Sequence, residues 1–235
     1  MGGKMQLQDG SGSGGQVRVR FGGVIFDLDG TLLDTLTDIA NAANAVLAEH
    51  KFPVHPIPDY RYMVGDGVRT LFQRILPKER SDAKTIDACL VSMKREYAHH
   101  LNLTTRPYDG VEEAIRTLRA TGLRLAVLSN KDHAFTGKCV EQFFRAGTFD
   151  VVLGLRPGSQ PKPDPSGALE IAANWKLSPD RIAYLGDTNT DMETAVVAGM
   201  FPIGAAWGFR SREELARHGA RVIVERPAEL LGVLA

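Results

Sequence analysis

The sequence predicts an α/β protein, a doubly wound parallel sheet into which an all-helical block is inserted. Three features point there. From Tyr108 onward, short apolar runs alternate with stretches of helical period, the order that builds parallel sheets with right-handed crossovers. Ahead of them "VRVRFGGVIF", from Val17, reads as a strand entering a sheet covered on both faces. Between Thr31 and about Arg106 apolar positions recur at helical spacing, and no convincing strand interrupts them. The expected division is a core over 17–33 and 107–235 and a helical insertion over 34–106. Residues 1–16, rich in glycine and serine, are expected to be a disordered or non-native extension.

Each element has a local reason. In the insertion, Ile39, Ala43, Val46 and Leu47 mark one helix, and "GVRTLFQRIL", stopped by Pro77, and "AKTIDACLVSMKREYAHHL" mark two more. In the core, "DGVEEAIRTLRATG" has Asp109 and Glu112 at capping-box spacing and Gly122 where a helix ends. "LRLAVLSN" is a short buried strand and "DHAFTGKCVEQFFRAG" a helix. "FDVVLG" is a strand, followed by the helix "DPSGALEIAANWK" with Pro165 at its first position. The strand "RIAYLGD" leads to the helix "DMETAVVAG", which closes on Gly199. "FPIGAAW" is a strand, "SREELARHG" a helix opened by Ser211 with Glu214 as its partner, and "RVIVE" the last strand. Trp175, Trp207, Met192 and Met200 are assigned to packing, and His99 and His100 to the surface.

Composition narrows the function. With 28 basic and 28 acidic residues in 235, the net charge is zero, so no basic field is available for nucleic acid or an anionic membrane. Cys89 and Cys139 form neither a disulfide scaffold nor a zinc-finger spacing. The longest weakly polar stretch, "TAVVAGMFPIGAAWGF", is broken by glycine and proline and is too short to span a bilayer. No export signal is legible, and a cytoplasmic home is the expectation.

In a parallel sheet, ligands meet the carboxyl ends of the strands. Applied here, that rule gathers Asp27, Asp29 and Thr31 after the first strand with Ser129 and Asn130 after the second. Asp187, with Asp191 behind it, follows a later strand, and Lys162 sits in the loop "SQPKPDP". Carboxylates without cysteine or histidine ligands suit a hard cation such as Mg²⁺. Beside that cation an aspartate can attack phosphorus and form an aspartyl-phosphate. Ser129 and backbone N–H groups can hold phosphate oxygens, and Lys162 can neutralise developing charge. The second aspartate can act as acid and base, its pKa raised by a neighbouring carboxylate and partial burial. Plainer readings stand beside these: aspartates are common at turns, Asp132 could cap the following helix as well as Ser129, Lys162 could be solvated, and Asp191 could serve a helix dipole. In "VGDGVR", Arg69 could meet a substrate carboxylate, or the stretch could be a tight turn.

"DLDGT", "LSN", "KPDP" and "GDTNTD", in that order, resemble the four motifs of the haloacid dehalogenase superfamily. The helical insertion resembles its C1 cap, and "DGTLLDTLTDIANAANAVL", "YRYMVGDGVRTLF", "RPYDGV" and "LSNK" are similar to its phosphoglycolate phosphatase branch. The resemblance implies Asp27 as nucleophile and metal ligand, and Asp29 as acid/base that offers its backbone carbonyl to the metal. It implies Gly30 and Thr31 as loop-shaping, substrate-side residues, and Ser129 and Asn130 as ligands of the phosphoryl group. Lys162 would pair with that group and Asp27, Asp187 would ligate Mg²⁺, and Asp191 would support the metal shell or orient Lys162. Ser129 stands where that branch often has threonine, and the hydroxyl is kept. The implied function is a Mg²⁺-dependent phosphatase for a small phosphorylated metabolite resembling phosphoglycolate, acting as a monomer or homodimer. A phosphomutase of the β-phosphoglucomutase kind and a non-catalytic phosphometabolite-binding protein remain alternatives. Carbon–halogen cleavage is disfavoured by the second aspartate, and carbon–phosphorus cleavage by the lack of an identifiable cap lysine.

Overall fold

The computed structural model describes residues 21–234; the expectation for 1–16 and the start of the strand at Val17 lie outside them. The first described strand is β1, Gly23–Phe26. The two-residue β2, Leu33–Asp34, leads into three helices, α1 (Leu36–Glu49), α2 (Val68–Ile75) and α3 (Ala83–His100), and β3, Arg106–Pro107, follows. The alternation then runs α4 (Val111–Ala120), β4 (Arg124–Asp132), α5 (His133–Phe143), β5 (Val151–Leu155), α6 (Ser166–Trp175) and β6 (Ile182–Gly186). It closes with α7 (Asn189–Val197), β7 (Phe201–Ala205), α8 (Arg212–Arg217), β8 (Val222–Val224) and α9 (Leu230–Leu234).

Six strands form one parallel sheet in the order β5-β4-β1-β6-β7-β8. Successive side chains of a strand face opposite sides, and the sheet is apolar on both. Val24, Phe26, Leu125, Val127 and Leu185 pack with α4, α5 and α9, while Ile25, Ala126, Leu128 and Tyr184 pack with α6 and α7. After β1 the chain builds outward through β4 and β5, then returns to β6 on the other side of β1. The order therefore reverses at β1, and the crevice at its carboxyl end is where such a sheet receives a ligand.

The helices between β2 and β3 have an apolar cluster of their own, centred on Val46, Tyr60, Phe72, Ile75 and Met93, to which Phe135 and Phe209 of the sheet unit contribute. β2 and β3 pair antiparallel at the base of this block. Two residues per strand carry no readable period, so this ribbon was not foreseen. The capping box expected at Asp109 does not form: Gly110, in the left-handed region at φ 84°, is the N-cap of α4 and no side chain bonds there. The turn starts the helix one residue too late for Asp109 to reach it. Pro165 is likewise the N-cap of α6, one residue before the first helical position. Both cysteines are free and buried. No helix of the described residues is long and apolar enough to cross a membrane.

Candidate active site

The last peptide of β1 fixes Asp27: its N–H donates to Leu185 O at 2.9 Å, holding the residue against β6. The chain then turns tightly, with the N–H groups of Leu32 and Leu33 both on Leu28 O. Gly30 makes that turn possible. It sits at φ 91°, and a Cβ there would lie 2.3 Å from Asp187 Oδ2, so any side chain would displace the Asp187 carboxylate.

Three buried carboxylates meet at this edge. One oxygen from each of Asp27, Asp187 and Asp191 lies within 4.8 Å of the others. Lys162 Nζ donates to Asp27 Oδ1 and Asp191 Oδ1, both at 2.7 Å, and to Leu128 O at 3.3 Å. Asp187 accepts the Thr31 hydroxyl and the Phe209 N–H, both at 2.7 Å. Asp191 Oδ2 accepts the hydroxyl and N–H of Thr188, closing a capping box on α7. One ammonium cannot balance three carboxylates. Burial, then Asp191, push the Asp27 carboxyl well above the usual range against the opposing pull of Lys162, and Asp187 adds to the rise. Burial and Asp191 push Asp187 up to about 7 although Phe209 and Thr31 donate to it. For Lys162, burial works against the charge, but Asp191 and Asp27 outweigh it and hold the ammonium protonated. An all-oxygen cluster short of positive charge fits a hard divalent cation. Asp191 bonds Lys162 directly through Oδ1 while Thr188 fixes its Oδ2, which suits it to orient that ammonium.

The end of β4 completes the edge. Its pairing with β5 shifts register between Leu128 and Asp132, which frees residues 129–131 from the ladder. Ser129 Oγ accepts the Lys131 N–H at 3.2 Å. The Asn130 side chain is a tie: Oδ1 accepts the Lys162 N–H at 2.7 Å, and Nδ2 donates to Lys162 O at 3.2 Å and Gly65 O at 3.1 Å. The cap of α5 is Asp132, not Ser129, so the Ser129 hydroxyl is not consumed by the helix.

Several expectations are corrected by this geometry. Thr31 points its hydroxyl at Asp187, and Gly30 lies beneath that carboxylate. Neither lines the cavity described below; both are placed against the acidic cluster. Asp29 was expected to face a second carboxylate. Instead the buried Lys131 ammonium pairs with it, because Asp27 and Asp29 leave the turn towards different partners. Burial opposes the Lys131 charge, and Asp29 overrides it and keeps the ammonium protonated. Lys131 also lies 5.2 Å from the centre of the Tyr97 ring of α3. The only sequence signal for Lys131 was its place directly after Ser129-Asn130. Arg69 is half exposed and bonded to Asp87 at 2.5 Å, away from the site.

A cavity of about 230 Å³ opens on Asp27, Asp29, Ser129, Asn130 and Lys131 and runs under the helical block. The block is fastened over it. Arg61 donates to the carbonyls of Gly208 and Phe209, Arg210 donates to those of Arg61 and Val64, and Thr190 bonds Asp66.

Sheet order, ligand edge and a buried carboxylate–lysine cluster together define a doubly wound α/β hydrolase with an acidic, cation-seeking centre. The family model for the haloacid dehalogenase-like hydrolases matches residues 24–205, and the chain belongs to that family. It is 30% identical over 214 residues to a phosphoglycolate phosphatase of Neisseria meningitidis, covering 90% of this chain and 89% of that protein. It is 29% identical over 218 residues to an N-acetylmuramic acid 6-phosphate phosphatase of Pseudomonas aeruginosa, covering 92% and 96%. The crystal structure of a predicted phosphoglycolate phosphatase from Haemophilus somnus superposes with a TM-score of 0.85 at 25% identity, covering 93% of this chain and all of the other. The chain is thus a phosphoric monoester hydrolase of this family.

Proposed function

We propose that the protein is a Mg²⁺-dependent phosphatase that hydrolyses a small phosphate monoester through an aspartyl-phosphate on Asp27, with phosphoglycolate as its reference substrate. The observation that carries this is the Asp27–Lys162–Asp191 chain of 2.7 Å contacts beneath a cavity that Asp27 lines, with Asp187 beside it. The names of the relatives support a phosphate ester of a small metabolite. Helices 36–100 act as a cap that shuts water from the cavity.

The free oxygen of Asp27 attacks phosphorus, and the P–O bond to the leaving alcohol breaks. Asp29, which lines the cavity, relays a proton from the Lys131 ammonium bonded to it to that alkoxide, and later takes one from the water that attacks the phosphoaspartate and returns it to Lys131. Lys162 holds Asp27 in place and balances charge on the transferring group. The Ser129 hydroxyl and the N–H groups after β4 bind its oxygens. Asp27, Asp187 and the backbone carbonyl of Asp29 would hold the Mg²⁺, which supplies Lewis-acid stabilisation of the phosphoryl oxygens when bound.

The test is hydrolysis of p-nitrophenyl phosphate and phosphoglycolate by Asp27→Asn. The expected result is a loss of at least about 10³-fold in kcat, with Ca²⁺ unable to replace Mg²⁺ because it takes a looser coordination. An Asp27→Asn protein as fast as the parent would rule out attack by Asp27. An isomer instead of free phosphate from glucose 1-phosphate would make the protein a phosphomutase. Tight binding of phosphate esters without turnover would make it a sensor.

A further inference from the structure

Resting on the phosphatase reading, we infer that the site selects an uncharged, apolar leaving group, an alcohol bearing a branched-alkyl or aryl body, over a carboxylate-bearing alcohol such as glycolate. The juxtaposition that carries this is a polar floor facing an apolar roof. The floor is Asp27, Asp29, Ser129 and Lys131, and the roof is Ile39, Val64, Leu71, Met93, Tyr97 and Phe135. An apolar cavity of about 150 Å³ already holds a benzene ring. At about 230 Å³, this one has room above the phosphoryl position for a group much larger than the two-carbon glycolate.

Charge points the same way. A carboxylate carried into this space would need a cation, because burying it unpaired is costly. The arginines of the helical block are engaged elsewhere. Arg61 holds the Gly208 and Phe209 carbonyls, Arg69 pairs with Asp87, and Arg74 pairs with Asp66 and bonds Met63 O. Arg80 stacks over Phe52, and Arg95 pairs with Glu49 and Glu96. Lys131 is the cation inside, and its charge is met by Asp29 on one side and the Tyr97 ring on the other. Lys94 is the other cation of the lining; it is exposed, so a carboxylate paired with it is screened by water and gains little. An apolar body against this roof gains roughly 25 cal/mol for each Å² it hides from water; a carboxylate there gains nothing comparable.

The experiment compares kcat/KM of the full chain with Mg²⁺ for benzyl phosphate, 3-methylbutyl phosphate and phosphoglycolate. All three release a primary alcohol, so their ratio reads recognition more than leaving-group chemistry. Since one methylene in an apolar pocket is worth about tenfold or more, benzyl and 3-methylbutyl phosphate are expected to exceed phosphoglycolate by at least about tenfold. Val68→Arg, at the partly exposed start of α2 on the cavity wall, supplies a cation and is expected to move that ratio towards phosphoglycolate by about fivefold or more. Phosphoglycolate turned over as well as the apolar esters would overturn the inference and leave the phosphatase reading standing. A ratio unmoved in a folded Val68→Arg protein would also overturn it. No Mg²⁺-dependent hydrolysis of any ester, p-nitrophenyl phosphate included, would sink the phosphatase reading and the inference with it.

Discussion

At the scale of single residues, the site is governed by an excess of buried negative charge. Asp187 shows it most simply, because its carboxyl is pushed from 3.8 up to about 7, first by burial and then by Asp191. A folded pKa above the unfolded one means that, between about 4 and 7, the native state keeps a proton the unfolded chain has lost. Stability of the metal-free protein therefore falls as pH rises through that window, and the whole cost is present above about 7. At about 1.4 kcal/mol per unit, a shift from 3.8 to about 7 is worth roughly 4 kcal/mol. In EDTA the Tm is expected to fall between about pH 5 and about pH 8. Asp187→Asn should flatten the slope, and Mg²⁺ should restore the wild-type Tm at the upper pH by binding the native state. Parallel slopes for wild type and Asp187→Asn would show that the charge of Asp187 is not the cause. The candidate residues themselves were legible, because carboxylates directly after apolar strands leave few roles. Their partners were not: Lys131 against Asp29, and Thr31 against Asp187, depend on side-chain directions that spacing alone does not fix.

Among the elements, the one that controls the helical block is its base. Asp38, in the first turn of α1, accepts both N–H and both hydroxyl groups of Thr104 and Thr105 at 2.6–3.1 Å. These bonds clamp the outgoing helix to the returning chain just before β3. Burial alone would raise the Asp38 carboxyl, but the threonine donors prevail and hold it below its ordinary value. The sign is opposite to that of Asp187: this contribution is present above the unfolded pKa and fades as pH falls through the lower folded one. Asp38→Ala leaves the buried donors of Thr105 unmet, while those of the exposed Thr104 can turn to water, and is expected to cost about 1–3 kcal/mol in urea unfolding at neutral pH. A loss under about 0.5 kcal/mol would mean that the clamp contributes nothing. Most helices and strands could be read from their period, since 10-residue α4 and nine-residue β4 carry enough of it. The clamp could not, because an aspartate inside a helical pattern looks like any other solvated position. Thr188 and Asp191 stand at capping-box spacing in the sequence, and the box forms.

For the whole molecule, the helical block is fastened over the cavity by a small set of guanidinium-to-carbonyl bonds. Arg210, from the loop after β7, is 5% exposed and donates to the carbonyls of Arg61 and Val64, while Arg61 donates back to Gly208 and Phe209. Asn130 adds a bond to Gly65 from the same edge that carries the catalytic candidates. The segment over 61–67 is thus held by the chain after β7 and by Asn130, next to Ser129 at the end of β4, which ties its position to the geometry of the site. No pattern in the sequence announces such a link, since its partners lie about 150 residues apart and all four acceptors are backbone carbonyls. Removing Arg210 strips donors from two carbonyls without touching the sheet. Arg210→Ala is therefore expected to speed amide exchange over residues 62–67 by about tenfold or more, the equivalent of one lost bond near 1.4 kcal/mol. Exchange in β1, β4 and β6 should hardly change, and KM for a bulky ester should rise more than that for a small one, because only the bulky leaving group leans on the closed roof. Faster exchange in the sheet as well would mean that Arg210 supports the whole fold. Unchanged exchange over 62–67 would mean that the cap is held by its apolar contacts with Phe135 and Phe209 instead.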